Sequence, residues 1–324
     1  MAHELDLTTG RPAIAYTGEK PWHGFGEVMP ESQPLDVWRV AAGLDWSVKE
    51  NQIFRARPAV QKQYGFEAIP NRKVLSRDDT GDILSVVSNR YKVVQPEEVL
   101  QFFKQLIERE GFVMSTAGSL RGGKRIWALA ETGKDFTIQG DKVAAYLLLA
   151  TAYDGTFATT AQFTSIRVVC NNTLGFSLQR GGEGGVVRIP HTQNFNAYDV
   201  QADLGLDDSW TTFRDNVVQL TEHKVTKREA IEYFLSLLGV TEQEAADGKQ
   251  LSNVKKLLSF YESAPGSQLV TAKDTTWGLV NAVTYLADHG RRAANNGNRF
   301  DSASFGSGAE MKRKAYESAL VIAA

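Results

Sequence analysis

The sequence predicts an α+β fold, with an antiparallel β-meander core and packed helices followed by a helical C-terminal region. Between residues 112 and 170, apolar segments of strand length alternate with short turns that carry Gly or Asp, which is typical of a meander. After about residue 194, apolar residues recur at helical spacing instead. Strands followed by helices, rather than alternating with them, favour α+β over a doubly wound α/β sheet.

The segments before the meander predict short elements. Gly, Pro and isolated aromatic residues dominate residues 1–34 and predict an extended lead-in with little regular structure. Pro34 and Gly43 bound one helix-like stretch, and Pro96 and Gly111 bound a second, amphipathic one. The predicted elements are a helix at 35–44 with Leu35, Val37, Trp38 and Ala41 facing inward, strand-like segments around Trp46–Phe54, strands at 68–77 and 83–94, and a helix at 96–111.

The rest of the pattern predicts an α+β core domain at 35–192 and a helical region at 195–324. Asn171–Asn172–Thr173 can cap a short helix at 174–179, and the glycines at 181–185 indicate a flexible link. The predicted strands lie at 112–120, 124–132, 135–141, 143–154, 156–164, 166–170 and 186–192. The predicted helices lie at 197–222, 227–238, 241–247, 250–262, 274–289 and 308–323, with a polar loop at 290–308.

The composition limits the classes of protein that the chain can be. Its 324 residues can bury a sizeable core, and its net charge of -2 does not indicate a strongly basic nucleic-acid binder, although a local basic patch is compatible with it. Cys170 is the single cysteine, which excludes an internal disulfide and a cysteine-rich zinc site and favours the cytosol. The N-terminus does not resemble a secretory signal, and the longest apolar run, 143–152, is about half of the roughly 20 residues that a membrane helix needs.

Three stretches carry a resemblance to a known family. Residues 117–175 resemble the central region of the phage/plasmid-like proteins that are grouped as a domain of unknown function, and the run Arg167–Leu174 (RVVCNNTL) is their most specific element. The segments WGLVNAVTYLADHGRR and SFGSGAEMKRKA resemble the C-terminal part of the same family. The resemblance implies a bacteriophage or mobile-element setting, and hence the host cytoplasm. It implies no catalytic residues.

The side chains that usually supply catalysis predict no catalytic group, metal site or cofactor. The five histidines lack metal-ligand spacing, and Cys170 follows apolar residues of a strand, as a small core residue would. Glu131, Asp141 and Asp154 could converge on magnesium. However, both aspartates lie beside glycines in predicted turns, where Asp is favoured for its own backbone hydrogen bonds. An enzyme is therefore the least favoured class, although the sequence leaves it open.

Basic and aromatic residues in the meander predict a nucleic-acid groove, since cations contact phosphates and exposed rings stack on bases. Because side chains alternate along a strand, Arg125 and Trp127 share one face and Lys124 and Ile126 the other, so part of the aromatic set must be core. The predicted nucleic-acid-binding residues are Arg121, Lys124, Arg125, Lys142, Arg167, Arg188, Arg291 and Arg292, with Trp127, Tyr146, Tyr153, Phe157 and Phe163 as the interleaved aromatic residues.

Two classes of function follow, and a third interpretation treats the basic residues as ordinary solvated surface. The first class is a non-catalytic phage accessory protein that binds nucleic acid, with single-stranded DNA in recombination or replication as the candidate ligand. By analogy of fold with single-strand annealing proteins, it is expected to form homo-oligomers. The second is a protein–protein interaction module that acts on a host or phage factor, for example in counter-defence, and carries an exposed apolar patch on its helical region.

Overall fold

A computed structural model describes residues 5–8, 10–18, 26–60, 63–167, 172–175, 185–240, 251–291, 302–303 and 306–324. The strands are β1 (Ile14–Tyr16), β2 (Glu27–Val28), β3 (Val48–Val60), β4 (Gln63–Arg77), β5 (Ile83–Ser88), β6 (Val113–Leu120), β7 (Arg125–Ile138), β8 (Asp141–Ala152), β9 (Thr159–Arg167), β10 (Asn172–Gly175) and β11 (Val186–Ile189). The helices are α1 (Leu35–Ala41), α2 (Pro96–Gln101), α3 (Lys104–Glu110), α4 (Ala197–Leu204), α5 (Leu206–Glu222), α6 (Lys227–Leu237), α7 (Leu251–Ser263), α8 (Thr276–Tyr285) and α9 (Ser307–Ala323). A π-helical turn, Leu286–Gly290, continues α8.

The larger sheet confirms the predicted meander. β6, β7, β8 and β9 are neighbours in sequence and in space, and each is antiparallel to the next. The full order is β10-β9-β8-β7-β6-β1-β2, and β11 also pairs with β9. The smaller sheet, β3-β4-β5, is antiparallel as well. Two mainly antiparallel sheets with a helical C-terminal region are the α+β architecture that the sequence predicts.

The lead-in contains more regular structure than its composition predicts. β1 pairs antiparallel with β6, and β2 pairs parallel with β1, so both strands extend one edge of the larger sheet. Ala15 and Tyr16 are buried there. Strands this short give almost no periodic signal in a sequence, and their backbone groups are paired by an edge formed a hundred residues later.

Three segments of the meander differ from the prediction. Over the described residues, the strands predicted at 156–164 and 166–170 run together in the single strand β9, because Ser165 pairs within the same ladder. The strands predicted at 124–132 and 135–141 form the single strand β7, because an irregular register between Glu131 and Asp135 accommodates the intervening glycine. The prediction of a helix at 174–179 is wrong for its first two residues, Leu174 and Gly175. They lie in β10 and pair with β9, where a ladder satisfies their backbone groups, while the remaining ones lie outside the described residues.

The two faces of the larger sheet bury different clusters. One face, which includes Ala128 and Leu149, packs into the main core with the side chains of α1, α2 and α3. The other face holds a smaller cluster around Trp127 and Leu148. At the far end of β8 and β9, Val143 and neighbouring apolar residues join the core of the C-terminal helices. The sheet therefore shares a core with the helical region, and the predicted domain boundary near residue 193 stays a prediction.

Most predicted helices are confirmed, with interruptions at identifiable residues. Trp38 and Ala41 of α1 are buried as predicted, but Val37 is 43% exposed, because this helix of two turns buries only one narrow stripe. The helix predicted at 96–111 is divided into α2 and α3. Gly205, at φ 53, divides the helix predicted at 197–222 into α4 and α5. The helix predicted at 241–247 and most of the loop predicted at 290–308 lie outside the described residues.

The helices of the described part of the chain are too short or too polar to cross a bilayer.

Candidate nucleic-acid interface

The turn between β6 and β7 carries the first group of predicted phosphate contacts. Arg121 adopts a left-handed backbone conformation (φ 56) and, like Lys124, is half-buried. Arg125 is only 9% exposed. Its guanidinium donates to Thr156 Oγ1 at 3.1 Å, and its Nε lies 3.8 Å from Asp154 Oδ2. These contacts of Arg125 link the β6–β7 turn to the turn between β8 and β9.

The aromatic residues predicted beside them are mostly core. Trp127 is 4% exposed, and Tyr153 and Phe163 are fully buried. Tyr146 is half-buried, and so is Phe157, whose ring lies 5.5 Å beneath the guanidinium of Arg125. A ring enclosed on both faces cannot stack on a base, so the interior of the meander provides no stacking platform from the three buried rings.

The remaining predicted basic residues are spread over the molecule. Lys142 Nζ forms an ion pair with Asp135 at 2.5 Å, and Arg167 lies beside it at the same end of the sheet, paired with Val143. This end is roughly 30 Å along β8 from the turn that holds Arg125. Arg188 is exposed on β11. Arg291 donates to Ser307 Oγ at 3.1 Å, and Arg292 lies outside the described residues. The turn with Arg125 and the end with Lys142 thus lie far apart on the larger sheet, and contact of the eight predicted residues with nucleic acid stays a prediction.

The carboxylates considered for magnesium also lie apart. Asp141 is buried at one end of β8 and accepts a hydrogen bond from Thr271 Oγ1 at 2.8 Å. Asp154 follows the other end of β8 and accepts from the backbone N–H of Thr156. In the part of the chain that the structure describes, no group of three His, Cys, Asp or Glu side chains is arranged to hold a metal ion.

A feature that the sequence prediction missed is a long two-stranded ribbon formed by β3 and β4. β5 pairs only with residues 72–76 of β4, so the ribbon continues beyond the third strand. We call its outer part, residues 53–60 and 63–69, the ribbon arm. None of residues 49–57 and 65–74, whose side chains the structure describes, is buried. The described side chains of the arm, at 53–57 and 65–69, are thus all exposed or half-buried.

An irregularity at the base of the arm sets its direction. Gln52 pairs with Lys73, but the next paired residue, Phe54, lies opposite Ala68, so β4 carries several extra residues here. They include Pro70, which cannot donate to a ladder, and Asn71, at a positive φ of 60°. A bulge of this kind bends and twists the strand that carries it, and thereby turns the arm relative to the smaller sheet.

The arm has one basic and one apolar face. Residues paired across an antiparallel ladder share a face, and Arg55 opposite Glu67 and Arg57 opposite Gly65 form the basic face. The side chains of Arg55 and Arg57 are 69% and 62% exposed. The apolar face holds two phenylalanines, each opposite an alanine: Phe54 (55% exposed) faces Ala68, and Phe66 (80% exposed) faces Ala56.

The electrostatics of the arm are dominated by its cations. Arg55 donates two hydrogen bonds to Glu67 Oε2, at 2.8 and 3.0 Å, and Arg57 Nε lies 3.6 Å from the same oxygen. The hydrogen bond from Arg55, together with the charges of both guanidinium groups, holds the pKa of Glu67 below its usual value. Between residues 53 and 69 the sequence has Arg55, Arg57 and Lys62 against this single carboxylate. The arm is therefore positive on a chain whose net charge is -2.

The base of the ribbon is anchored by a buried arginine at the end of β4. Arg77 is fully buried, binds Asp6 of the lead-in, and donates to Asp79 Oδ2 at 2.7 Å. Its guanidinium lies 4.3 Å above the ring of Trp46. A Cβ on Gly123, in the β6–β7 turn, would lie 2.9 Å from the same ring. The ribbon, the lead-in and the β6–β7 turn thus meet at Arg77.

A signal for the arm is present in the sequence. In Phe54-Arg55-Ala56-Arg57, alternation by two places the basic side chains on one face of a strand and the apolar ones on the other. Such a pattern equally describes a half-buried strand. An exposed arm differs from a half-buried strand only in that no other element packs over its apolar face. This is a tertiary property, which the local pattern does not show.

The comparison with protein families gives one match. Residues 83–304, about two thirds of the chain, match the family model described as Domain of unknown function (DUF932). The match begins at the first residue of β5, so the ribbon arm precedes it. No curated protein and no solved structure is similar enough to the chain to count as a match.

Proposed function

The chain belongs to the family described as Domain of unknown function (DUF932), and we propose that it is a non-catalytic nucleic-acid-binding protein whose ribbon arm makes the contact. The observation that carries this proposal is the exposure of two arginines, Arg55 and Arg57, on one face of the ribbon arm. Guanidinium groups contact phosphates and supply affinity without sequence preference. Arg55 and Arg57 can reach a phosphate backbone without any rearrangement of the core, because the arm buries none of its described side chains.

The setting we propose is phage DNA recombination or replication in the host cytoplasm, with the protein acting as a homo-oligomer. The resemblance of residues 117–175 to phage/plasmid-like proteins supports this setting. The turn residues Arg121 and Lys124 and the exposed Arg188 are retained as secondary contacts. Arg125 is a weaker candidate than the sequence suggests, since its guanidinium is already engaged with Thr156 and Asp154.

The test is fluorescence anisotropy of a labelled single-stranded oligonucleotide at several salt concentrations. We expect salt-sensitive binding by the wild-type chain, and the double variant Arg55→Ala/Arg57→Ala should flatten the log–log salt slope by at most about 1.4, the value for two full phosphate contacts, since Glu67 competes for both guanidinium groups. A second variant, Arg121→Ala/Lys124→Ala, measures how much the β6–β7 turn contributes to oligonucleotide affinity.

The matched control is Lys227→Ala/Arg228→Ala, which also removes two exposed cations, each paired with a carboxylate, but from α6. Equal losses of oligonucleotide affinity in the arm variant and this control would show that binding depends on the total charge of the chain and not on the arm. Absence of binding by the wild-type chain at low salt would reject the proposal.

A second candidate function, a protein-binding module, is favoured by a groove of about 800 Å³ in the helical region. Leu237, Leu279 and Val321 contribute apolar lining, and Glu229 and Glu232 supply two negative charges against one cation, Lys314. An apolar groove with acidic residues is complementary to a basic amphipathic helix of a partner. This candidate predicts that a synthetic Leu/Lys helical peptide binds the chain and that Val321→Glu abolishes the binding, with no effect of oligonucleotides.

A further inference from the structure

We infer that Phe54 and Phe66 form a base-stacking platform, which makes single-stranded nucleic acid, rather than a duplex, the ligand of the ribbon arm. This inference rests on the proposed function and specifies its ligand. It concerns the apolar face of the arm, whereas the proposal above rests on the basic face.

The exposure of the two rings is unusual within this molecule. Among the described residues, Phe54 and Phe66 are the only phenylalanines classed as exposed, at 55% and 80%. Trp46, Trp127 and Tyr153, by contrast, are buried in the cores. Leaving two phenylalanines in water forgoes the stabilisation that burial of each ring would give, which points to a ligand that covers them.

The register of the ribbon leaves both rings open on one side. Each phenylalanine is paired across the ladder with an alanine, so the small methyl group beside it does not cover the ring. Phe54 and Phe66 are diagonal neighbours on the same face, with backbones roughly 7–8 Å apart. Successive bases in a stack are about 3.4 Å apart, so the backbone separation of the two phenylalanines is about that of two bases with one base between them.

The cations are placed so that they can complete the same contact. β3 is the outer strand of the smaller sheet, and Arg55 and Arg57 lie on it, next to Phe54 and Ala56 in sequence. Both guanidinium groups lie against Glu67 of β4 on the opposite face, and their long side chains would reach a phosphate at the free edge of the ribbon by leaving this carboxylate. A strand bound in this way has its bases on one face and its phosphates along the edge.

This arrangement discriminates against a double helix. In a duplex the faces of the bases are covered by their neighbours, and a ring gains access only by unstacking a step, which costs free energy. In a single strand the bases can offer an uncovered face, and stacking on an aromatic side chain stabilises the complex without that cost. Two open rings beside two arginines therefore favour single strands whatever their sequence.

The experiment compares three labelled probes of about 20 nucleotides: oligo-dT, an abasic sugar–phosphate strand of the same length, and a dT·dA duplex. Each is titrated by anisotropy with the wild-type chain, with Phe54→Leu/Phe66→Leu, and with Phe54→Trp/Phe66→Trp. Leucine keeps an apolar side chain but removes the ring, and tryptophan keeps the ring. Because both positions are exposed, equal urea midpoints for the three proteins will show that folding is unaffected.

We expect the wild-type chain to bind oligo-dT at least tenfold more tightly than either the abasic strand or the duplex. The leucine variant should bind all three probes alike, and the tryptophan variant should restore the preference. Equal binding of oligo-dT and the abasic strand by the wild-type chain, or a leucine variant that retains the preference, would overturn the platform. In that case Arg55→Ala/Arg57→Ala would still weaken binding, so nucleic-acid binding by the arm would survive. A wild-type chain that binds none of the probes rejects both proposals together, and the two rings would then belong to a protein contact.

Discussion

Glu67 sets the effective charge of the ribbon arm at the level of single residues. Both Arg55 and Arg57 interact with its Oε2, so removal of this carboxylate releases two guanidinium groups for phosphates. We expect Glu67→Gln to tighten oligonucleotide binding roughly three- to tenfold and to steepen the salt slope by about 1. Anisotropy titrations at several salt concentrations measure both quantities. Glu232→Gln, which releases Arg228 on α6, should change neither, and an unchanged slope for Glu67→Gln would contradict the role of the arm.

Arg77 is the residue on which the base of the ribbon depends. Its replacement by leucine leaves the buried carboxylate of Asp6 without its ion-pair partner. Breaking a buried pair from one side destabilises a protein by about 3–5 kcal/mol, and we expect a loss of that size in the free energy of unfolding measured with urea. Arg72→Leu, an exposed arginine of the same strand, should lie within about 0.5 kcal/mol of the wild type. A similar small effect of Arg77→Leu would show that the cluster does not hold the fold together.

Asp79 makes the same cluster sensitive to acid. The hydrogen bond from Arg77 lowers the pKa of Asp79 from its ordinary value of 3.8. Because the folded pKa lies below the unfolded one, its stabilising contribution is complete above about pH 4 and is lost as the pH falls through the folded pKa. The stability difference between the wild type and Asp79→Asn should therefore be constant from about pH 5 to about pH 7 and shrink below about pH 4. A difference that persists unchanged in urea unfolding at about pH 2.5 would exclude this linkage.

At the scale of elements, the ribbon arm should be removable. Deletion of residues 53–69 leaves Pro70, Asn71 and Arg72 as a three-residue turn between the paired residues Gln52 and Lys73, with Asn71 already at positive φ. Since the described side chains of the arm are not buried, we expect the free energy of unfolding to change by less than about 1 kcal/mol and oligonucleotide binding to be lost. Urea unfolding and anisotropy on the same preparation separate the two effects. If the deletion variant binds oligonucleotides with wild-type affinity, the interface lies outside the arm.

The elements also show what sequence patterns can and cannot predict here. The meander is predicted correctly because apolar alternation and Gly- or Asp-containing turns are local signals. The interruptions at Gly205 and between α2 and α3 are missed, because apolar periodicity runs through both. At the candidate site, Arg125 has the sequence context of a phosphate contact, and only the fold brings Asp154, about thirty residues later, beside it. The exposure of Phe54 and Phe66 likewise depends on which elements are absent around them, which no local pattern encodes.

At the scale of the whole molecule, the main core combines residues from both sides of the start of the family match at residue 83. Trp38, Leu44, Trp46 and Leu75 precede that point, yet all are buried in the cluster that also contains side chains of α2, α3 and the larger sheet. A fragment of residues 83–324 therefore lacks several large core side chains. Each such loss costs about 2–5 kcal/mol, and together they exceed the usual stability of a domain.

We expect this fragment to lack a cooperative unfolding transition, in contrast to the deletion of residues 53–69. Near-ultraviolet circular dichroism and urea unfolding will distinguish a packed core from a loosened one. A cooperative transition for residues 83–324 would show instead that the matched segment folds independently and that the first 82 residues are an addition to it.

The lack of buried side chains in the described arm also bears on how this protein can change over time. Selection for a stable fold acts mainly on buried residues. Substitutions in the arm have little effect on stability, so selection acts on them mainly through their effect on binding. The affinity and preference of the arm can therefore drift, or be redesigned, independently of the thermal tolerance of the body. Pro70, Asn71 and Arg72 mark a natural exchange point, at which the arm of one protein could replace that of another while the core sequence stays fixed.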